Sequence, residues 1–306
     1  MARRRMTMHR YHVGGWSVRS PRPLPYLAPD VGPERPDPIE ITFGAFDPPA
    51  APTRTVGPFT IHGPDLIDLH PPGGSRLRIR DGRAIIVADD DHLSAAEVHT
   101  FLFGPAFTML AHQRGRPPLH AGAVSLDGRT IGIAGNSGAG KSTMVHALVQ
   151  RGARLLSDDQ LLIDPASRLA YPAYPSAKLW AASAEQLAVP TDDDARVKDG
   201  FDKFHIDLGT SFLDAPQPLD LLLVLAPTPE LTAPEARRFT RGEATAVLSR
   251  LTHYGEVASA AGRGGAMLQH AAAIAAQVPV YRVARPMDFD QFDALIDLVL
   301  SLGGEG

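Results

Sequence analysis

Short stretches of alternating apolar and polar residues dominate the first part of the chain. Residues 11–18, 39–43, 59–62, 77–80 and 84–87 alternate with a period of two, the pattern of strands with one buried face. Asp81-Gly82 reads as a hairpin tip between the last two. Pro21, Pro23 and Pro25, then Pro33, Pro36 and Pro38, predict an irregular crossing between the first two strands. At Ser94 the period changes. Ser94 and Glu97 have capping-box spacing, and Val98, Phe101, Leu102, Phe107 and Leu110 continue at helical intervals. Gly104-Pro105 should kink or divide that helix, since proline removes a backbone donor.

A polar, basic stretch from His112 to His120 leads into a strand at 123–126. Asp127-Gly128 then reverses the chain into a second strand at 130–134. An antiparallel hairpin here departs from the βαβ layout, in which a parallel crossover would be expected. Met144, Val145, Leu148 and Val149 predict a helix stopped by Gly152. Strands follow at 153–156 and 160–163, then a proline-guided loop from Ala170 in which Trp180 is a core or rim anchor, running into a helix at 181–187. Residues 191–196 form an acidic exposed turn, and 227–234 a loop. Further strands are expected at 203–208, 221–225 and 280–283, and helices at 244–251 and 265–276. Phe292, Leu295, Ile296 and Val299 mark one face of a last helix. No internal repeat is present. The order predicts an α/β fold with a mixed sheet over 93–306, preceded by a β-rich region, 1–92, that would serve as a platform for a substrate or partner.

The chemistry begins where the second hairpin strand ends. Gly135, Gly140, Lys141 and Ser142 fill the spacing G-x-x-x-x-G-K-[ST], the phosphate-binding loop of nucleoside-triphosphate enzymes. Glycines at 135, 138 and 140 let backbone N–H groups approach phosphate oxygens. Asn136, Ser137, Ala139 and Thr143 complete the nucleotide-binding run. The following helix aims its positive end at the same anion. Lys141 would reach the β- and γ-phosphates, and the Ser142 hydroxyl would complete a Mg²⁺ shell. Downstream, Asp158 and Asp159 stand at a strand end. Two carboxylates there suit phosphoryl transfer, one to hold the metal and one to take a proton from an attacking hydroxyl.

The run Leu119-His120-Ala-Gly-Ala-Val, the phosphate loop, and Arg151-Gly-Ala-Arg-Leu-Leu-Ser-Asp158-Asp159 resemble the catalytic domain of bacterial HPr kinase/phosphorylase and its relatives. Those enzymes phosphorylate a serine of a carrier protein, and their fold is related to the phosphoenolpyruvate carboxykinases. More weakly, Tyr174-Pro-x-x-Lys178-Leu-Trp180, Lys203 and Val278-Pro-Val-Tyr-Arg282 are similar to HPr-kinase-like proteins of peptide-modification clusters. Some of these, the lasso-peptide kinases, phosphorylate a C-terminal serine of a precursor peptide, and the β-rich start is also similar to that branch. The resemblance implies that Ser142 and Asp159 hold Mg²⁺, that Lys141 holds the phosphates of ATP, and that Asp158 is the base with His120 beside it. Lys178, Lys203 and Arg116 are candidates for phosphate or peptide carboxylate contacts. No Glu-Ile-Arg-Gly-type run follows Asp159, so the phosphorolysis associated with that signature is not expected.

Composition narrows the partners. A net charge of −4 offers no basic excess for nucleic acid, and no apolar run reaches the roughly 20 residues that span a bilayer. The chain has no cysteine, which excludes disulfides, thiolate metal sites and cysteine catalysis. The basic start, Met-Ala-Arg-Arg-Arg-Met, has no apolar core behind it, so residues 3–5 read as a frayed terminus, and a cytoplasmic location is expected. The expected activity is Mg-ATP-dependent transfer to a serine hydroxyl of a small protein or peptide. A small-molecule hydroxyl kinase and a non-catalytic nucleotide-binding module remain as alternatives, and a homo-oligomer is left open.

Overall fold

A computed structural model describes residues 7–24, 27, 29–33, 35–47, 54–72, 74–88, 99–197 and 200–302. The basic start, Pro25, the capping-box residues Ser94 and Glu97, and Val98 lie outside the described residues. Strands β1 (His9–Val13), β2 (Trp16–Ser20), β3 (Ile39–Phe43), β4 (Arg54–Val56), β5 (Phe59–Gly63), β6 (Leu66–Leu69), β7 (Leu77–Arg80) and β8 (Ala84–Val87) form an eight-stranded sheet. Its order is β1-β2-β3-β8-β7-β6-β5-β4. The single strand expected over 11–18 is a hairpin instead. Gly14 and Gly15 both have positive φ, 62° and 87°, the turn that matches strand twist. That turn docks on the rest of the molecule through the Gly14 N–H, which donates to Pro172 O at 2.8 Å.

The inward residues of this sheet, among them Val13, Val18, Ile39, Ile41, Ile61, Ile79 and Ile85, share a core with Phe103, Phe107 and Leu110. The last two belong to α1 (Phe107–Gln113). By packing, α1 therefore goes with the strands before it, and the change of core falls after the expected 92/93 division. The helix is not broken at Gly104-Pro105, since residues 99–113 are helical throughout. Residues Leu102–Ala106 form a wider π-helical turn around Pro105, which relieves the clash of the proline ring with the preceding turn.

On the outer face Asp68, 2% exposed, receives a bidentate pair from Arg78 (Nε to Oδ1, 2.7 Å; Nη2 to Oδ2, 2.8 Å) and lies 3.1 Å from His62 Nε2. Burial alone would raise the Asp68 pKa, but the bonds from Arg78 and His62 lower it. A depressed folded-state pKa gives stability that is present above the usual carboxylate range and lost as the pH falls through the folded value. Arg78→Ala would strand the buried carboxylate. The expected loss is about 3–5 kcal/mol, read as a lower denaturant midpoint at neutral pH and a smaller gap from wild type in acid.

The second core surrounds a six-stranded sheet of order β11-β9-β10-β17-β19-β18. The chain enters it through the hairpin β9 (Ala121–Leu126) and β10 (Arg129–Ala134), followed by α2 (Lys141–Gln150) and β11 (Arg154–Ser157). Strands β12 (Leu162–Asp164), β13 (Leu169–Tyr171), β14 (Ser176–Trp180), helix α3 (Ala181–Gln186), β15 (Lys203–Asp207) and β16 (Gln217–Pro218) form two smaller sheets and a cover. The chain returns through β17 (Leu221–Pro227), β18 (Glu235–Arg238), α4 (Arg241–Arg250), α5 (Gly255–Ala260), α6 (Gly264–Gln277), β19 (Val280–Arg285) and α7 (Phe292–Ser301). β4, β6, β13, β14, β16, β18 and α5 had no counterpart among the expected elements. One sheet face packs on α2 and α7 through Val145, Leu148, Leu295 and Val299, the other on α4 and α6 through Leu248, Ala271 and Ile274.

Topology brings one edge of this sheet into use. β10 is parallel to β17, and β17 to β19, whereas β9 runs antiparallel to both β10 and β11. The C-terminal ends of β10, β11 and β19 therefore meet the start of β9. Gly122 lets α2 close on that edge, since a Cβ there would lie 2.6 Å from Val145 Cγ2.

Candidate active site

The phosphate loop joins β10 to α2. Gly140, the residue before the helix, has φ 94°, a value L side chains rarely adopt, and a Cβ on it would meet Arg285 Nη2 at 3.0 Å. Gly135 is constrained in another way, with a Cβ there 3.0 Å from Leu225 O and 3.1 Å from Ala139 Cβ. Asn136 O accepts from the Ala139 N–H at 3.1 Å, closing the loop on itself. Thr143 Oγ1 lies 3.0 Å from Ser183 Oγ, which ties the first turn of α2 to α3.

Lys141, 7% exposed, donates to Gly135 O (3.0 Å) and Asn136 O (3.1 Å), and its Nζ stands 2.9 Å from His120 Nε2. Three protons thus have three acceptors. Burial lowers the Lys141 pKa, and Asp159 and Asp158 oppose that. His120 Nδ1 lies 3.1 Å from Asp159 Oδ1. With Lys141 donating to Nε2, the partners assign the imidazole proton to Nδ1, facing Asp159.

The two aspartates divide. Asp158, 2% exposed, accepts from Ser142 Oγ at 3.0 Å and from the Lys178 N–H at 2.9 Å. Burial and the charge of Asp159 push its pKa up. Asp159 has φ 71° and turns its carboxylate toward the cleft. Burial would raise its pKa, but the bond from His120 and the nearby Lys178 charge hold it well below the usual range. This arrangement corrects two expectations. Ser142 is paired with Asp158, not Asp159, and His120 stands beside Asp159, not Asp158. The reason lies in β11, whose pairing with β9 shifts register between Leu155 and Ser157. A bulge of this kind resets which side each later residue faces.

The cleft beside the loop has a volume of about 390 Å³, with Lys141, Ser142, Asp159, Lys178, Lys203 and Arg285 among its lining. Trp180, 48% exposed, stands at its rim with Lys203 Nζ 5.6 Å from the ring centroid. Lys178 and Lys203 are thus brought to the loop, whereas Arg116 is not. Its guanidinium is held between the rings of Trp16 (4.9 Å) and Tyr171 (4.3 Å) and donates to Gly14 O at 3.1 Å. There it clamps the β1–β2 turn to Tyr171 of β13, away from the phosphate loop.

Two groups at this edge were missed. Arg285 closes β19 and donates through Nε to Ala139 O at 3.0 Å, which braces the loop; a cation at the last residue of a strand followed by proline carries no local signal. His253 comes from the turn before α5, stacked on His120 with centroids 4.6 Å apart and ring planes at 27°. Nothing near position 253 announces a site more than a hundred residues upstream.

The donor set at the start of α2 is hard oxygen, from Ser142 and Asp158, beside a loop whose glycine spacing suits phosphate. That chemistry suits Mg²⁺ and a nucleoside triphosphate. No protein-family model matches the chain, and no curated protein does. Among solved structures it is similar to the Hpr(Ser) kinase/phosphatase from Coxiella burnetii, at 14% identity and a TM-score of 0.30, over 62% of this chain and 99% of that one.

Proposed function

We propose that the protein is a Mg-ATP-dependent kinase that transfers the γ-phosphate to a serine hydroxyl of a peptide or small protein. One observation carries the reading. Two adjacent carboxylates are divided between two tasks, Asp158 bonded to the loop serine Ser142 and Asp159 turned to the cleft under His120. Ser142 and Asp158 would hold Mg²⁺, which supplies charge neutralisation to the phosphate oxygens. Asp159, held ionised by its neighbours, takes the proton from the acceptor hydroxyl, and His120 orients it. Lys141, Lys178, Lys203 and Arg285 supply positive charge around the phosphates. A pure nucleotide-binding module would need only the first of the two carboxylates. An exposed aromatic and cationic rim at Trp180 and Lys203 suits an extended acceptor better than a small metabolite. The sequence resemblance to the lasso-peptide kinases makes a precursor peptide with a C-terminal serine the first acceptor to try.

The test is incubation of the full chain with Mg-ATP and serine-containing synthetic peptides, followed by mass spectrometry. A mass gain of one phosphoryl group on serine, absent without Mg²⁺, is expected. ATP consumption that stays equal with and without every peptide would contradict transfer to serine.

A further inference from the structure

His120 meets Asp159 and Lys141 through its two nitrogens, but those bonds leave its ring free to tilt about their common axis. The face of the ring is fixed by something else. His253 stacks on it at 4.6 Å, and Tyr254 stacks on His253, again at 4.6 Å and with planes at 29°. Phe59, from β5 of the N-terminal sheet, meets Tyr254 edge-on at 5.4 Å. Four rings in a row thus lead from the core of the eight-stranded sheet to the catalytic edge of the other.

The row is anchored at each step. His120 N donates to Leu251 O and His253 N to Pro118 O, both at 2.8 Å, so the two histidine backbones run side by side. His112 Nε2 lies 2.9 Å from His253 O. Tyr254 holds φ 50° and ψ 34°, an unfavourable backbone conformation for a bulky residue that persists only where its surroundings over-determine it. Val257 and Ala261 of the same segment lie in the N-terminal core. Arg263 fastens the segment to the turn before β6, donating to Asp65 Oδ1 (2.6 Å) and Pro64 O (3.1 Å), and to His112 O (3.0 Å). Burial keeps His253 itself uncharged, its pKa pushed down to about 3. It therefore presents a neutral ring to His120.

We propose that His253 is a positioning residue for His120, and that the row Phe59, Tyr254, His253, His120 couples the N-terminal sheet to the catalytic edge. The consequence for catalysis rests on the kinase reading, but the positioning does not. Stacking sets the plane in which Nδ1 of His120 reaches Asp159, and an error of about 1 Å at a reacting group can cost 10²-fold in rate. The N-terminal sheet then acts on the reaction although none of its described residues lines the cleft.

The test compares four full-length proteins, wild type, His253→Ala, His253→Phe and Phe59→Leu, in two measurements. The first follows the ring resonances of His120, assigned by their loss in His120→Asn, in the absence of nucleotide. The second follows ADP release from Mg-ATP. His253→Ala is expected to lower kcat about 10²-fold with little change in KM for Mg-ATP. His253→Phe, which keeps the stack and loses the nitrogens, should restore most of that loss. Phe59→Leu should move the His120 resonances while circular dichroism shows a folded chain. If His253→Phe is as poor as His253→Ala, the stack is not what matters and the proposal falls. Unchanged His120 resonances in Phe59→Leu would equally overturn the coupling. A wild type that turns over no Mg-ATP would remove the kinase reading instead, and the resonances would still decide the positioning.

Discussion

Asp159→Asn is expected to bind Mg-ATP nearly as well as wild type and to lose about 10²–10⁴-fold in single-turnover rate, the usual worth of a general base. Asp158→Asn should fail in the other way, with Mg-ATP affinity and turnover falling together. The difference follows from where the carboxylates point. Asp158 is buried against Ser142 and the Lys178 N–H, so its charge is directed at the loop. Asp159 lies under His120 at the cleft, and its depressed pKa keeps it ionised well below neutral pH. A base that is already ionised gives a rate that does not fall until the pH drops into the acid range, and Asp159→Asn should abolish that acid limb. Calorimetry of Mg-ATP binding beside rapid-quench kinetics separates the two. A loss of nucleotide binding in Asp159→Asn with normal binding in Asp158→Asn would reverse the roles.

Lys141→Ala carries the second large effect. Removing a preorganised donor to developing charge costs about 10²–10³-fold in rate, and binding of Mg-ATP should fall as well. The fold should survive. Lys141 is 7% exposed rather than freely solvated, so its removal leaves Gly135 O, Asn136 O and His120 Nε2 short of a donor. Relief of a buried positive charge, whose pKa burial already lowers, works against that loss. Thermal unfolding close to wild type, with turnover gone, is the expected pair of results. Full turnover in Lys141→Ala would remove the phosphate-loop assignment.

The parts that could be read from the sequence are those in which chemistry constrains neighbouring residues. The turn at 135–142 was legible because its backbone geometry restricts which residues fit it, Gly140 holding φ 94° just before α2. Leu221–Pro227 and α7 were legible because burial on one or both faces leaves an apolar pattern. Strand β14 was not, because Pro172 and Pro175 precede it and hide the alternation of Ala177, Lys178 and Leu179. The β1–β2 hairpin was hidden by reading through Gly14-Gly15, although that dipeptide is a turn signal. The directions of the Asp158 and Asp159 side chains were beyond counting by alternation, since the bulge in β11 and the positive φ of Asp159 break the period there. Arg116 looked like a phosphate ligand because its neighbourhood is basic, but two aromatic rings distant in sequence claim its guanidinium. His253 and Arg285 reach the edge through tertiary packing, which leaves no local trace.

Calorimetric titration of ATP into the full chain, with and without Mg²⁺, tests the central claim most directly. Saturable binding at one site that strengthens with Mg²⁺ in wild type, and loses that strengthening in Asp158→Asn, is the expected result. Binding that is indifferent to Mg²⁺, or unaltered by Asp158→Asn, would contradict a metal-assisted nucleotide site at Ser142 and Asp158.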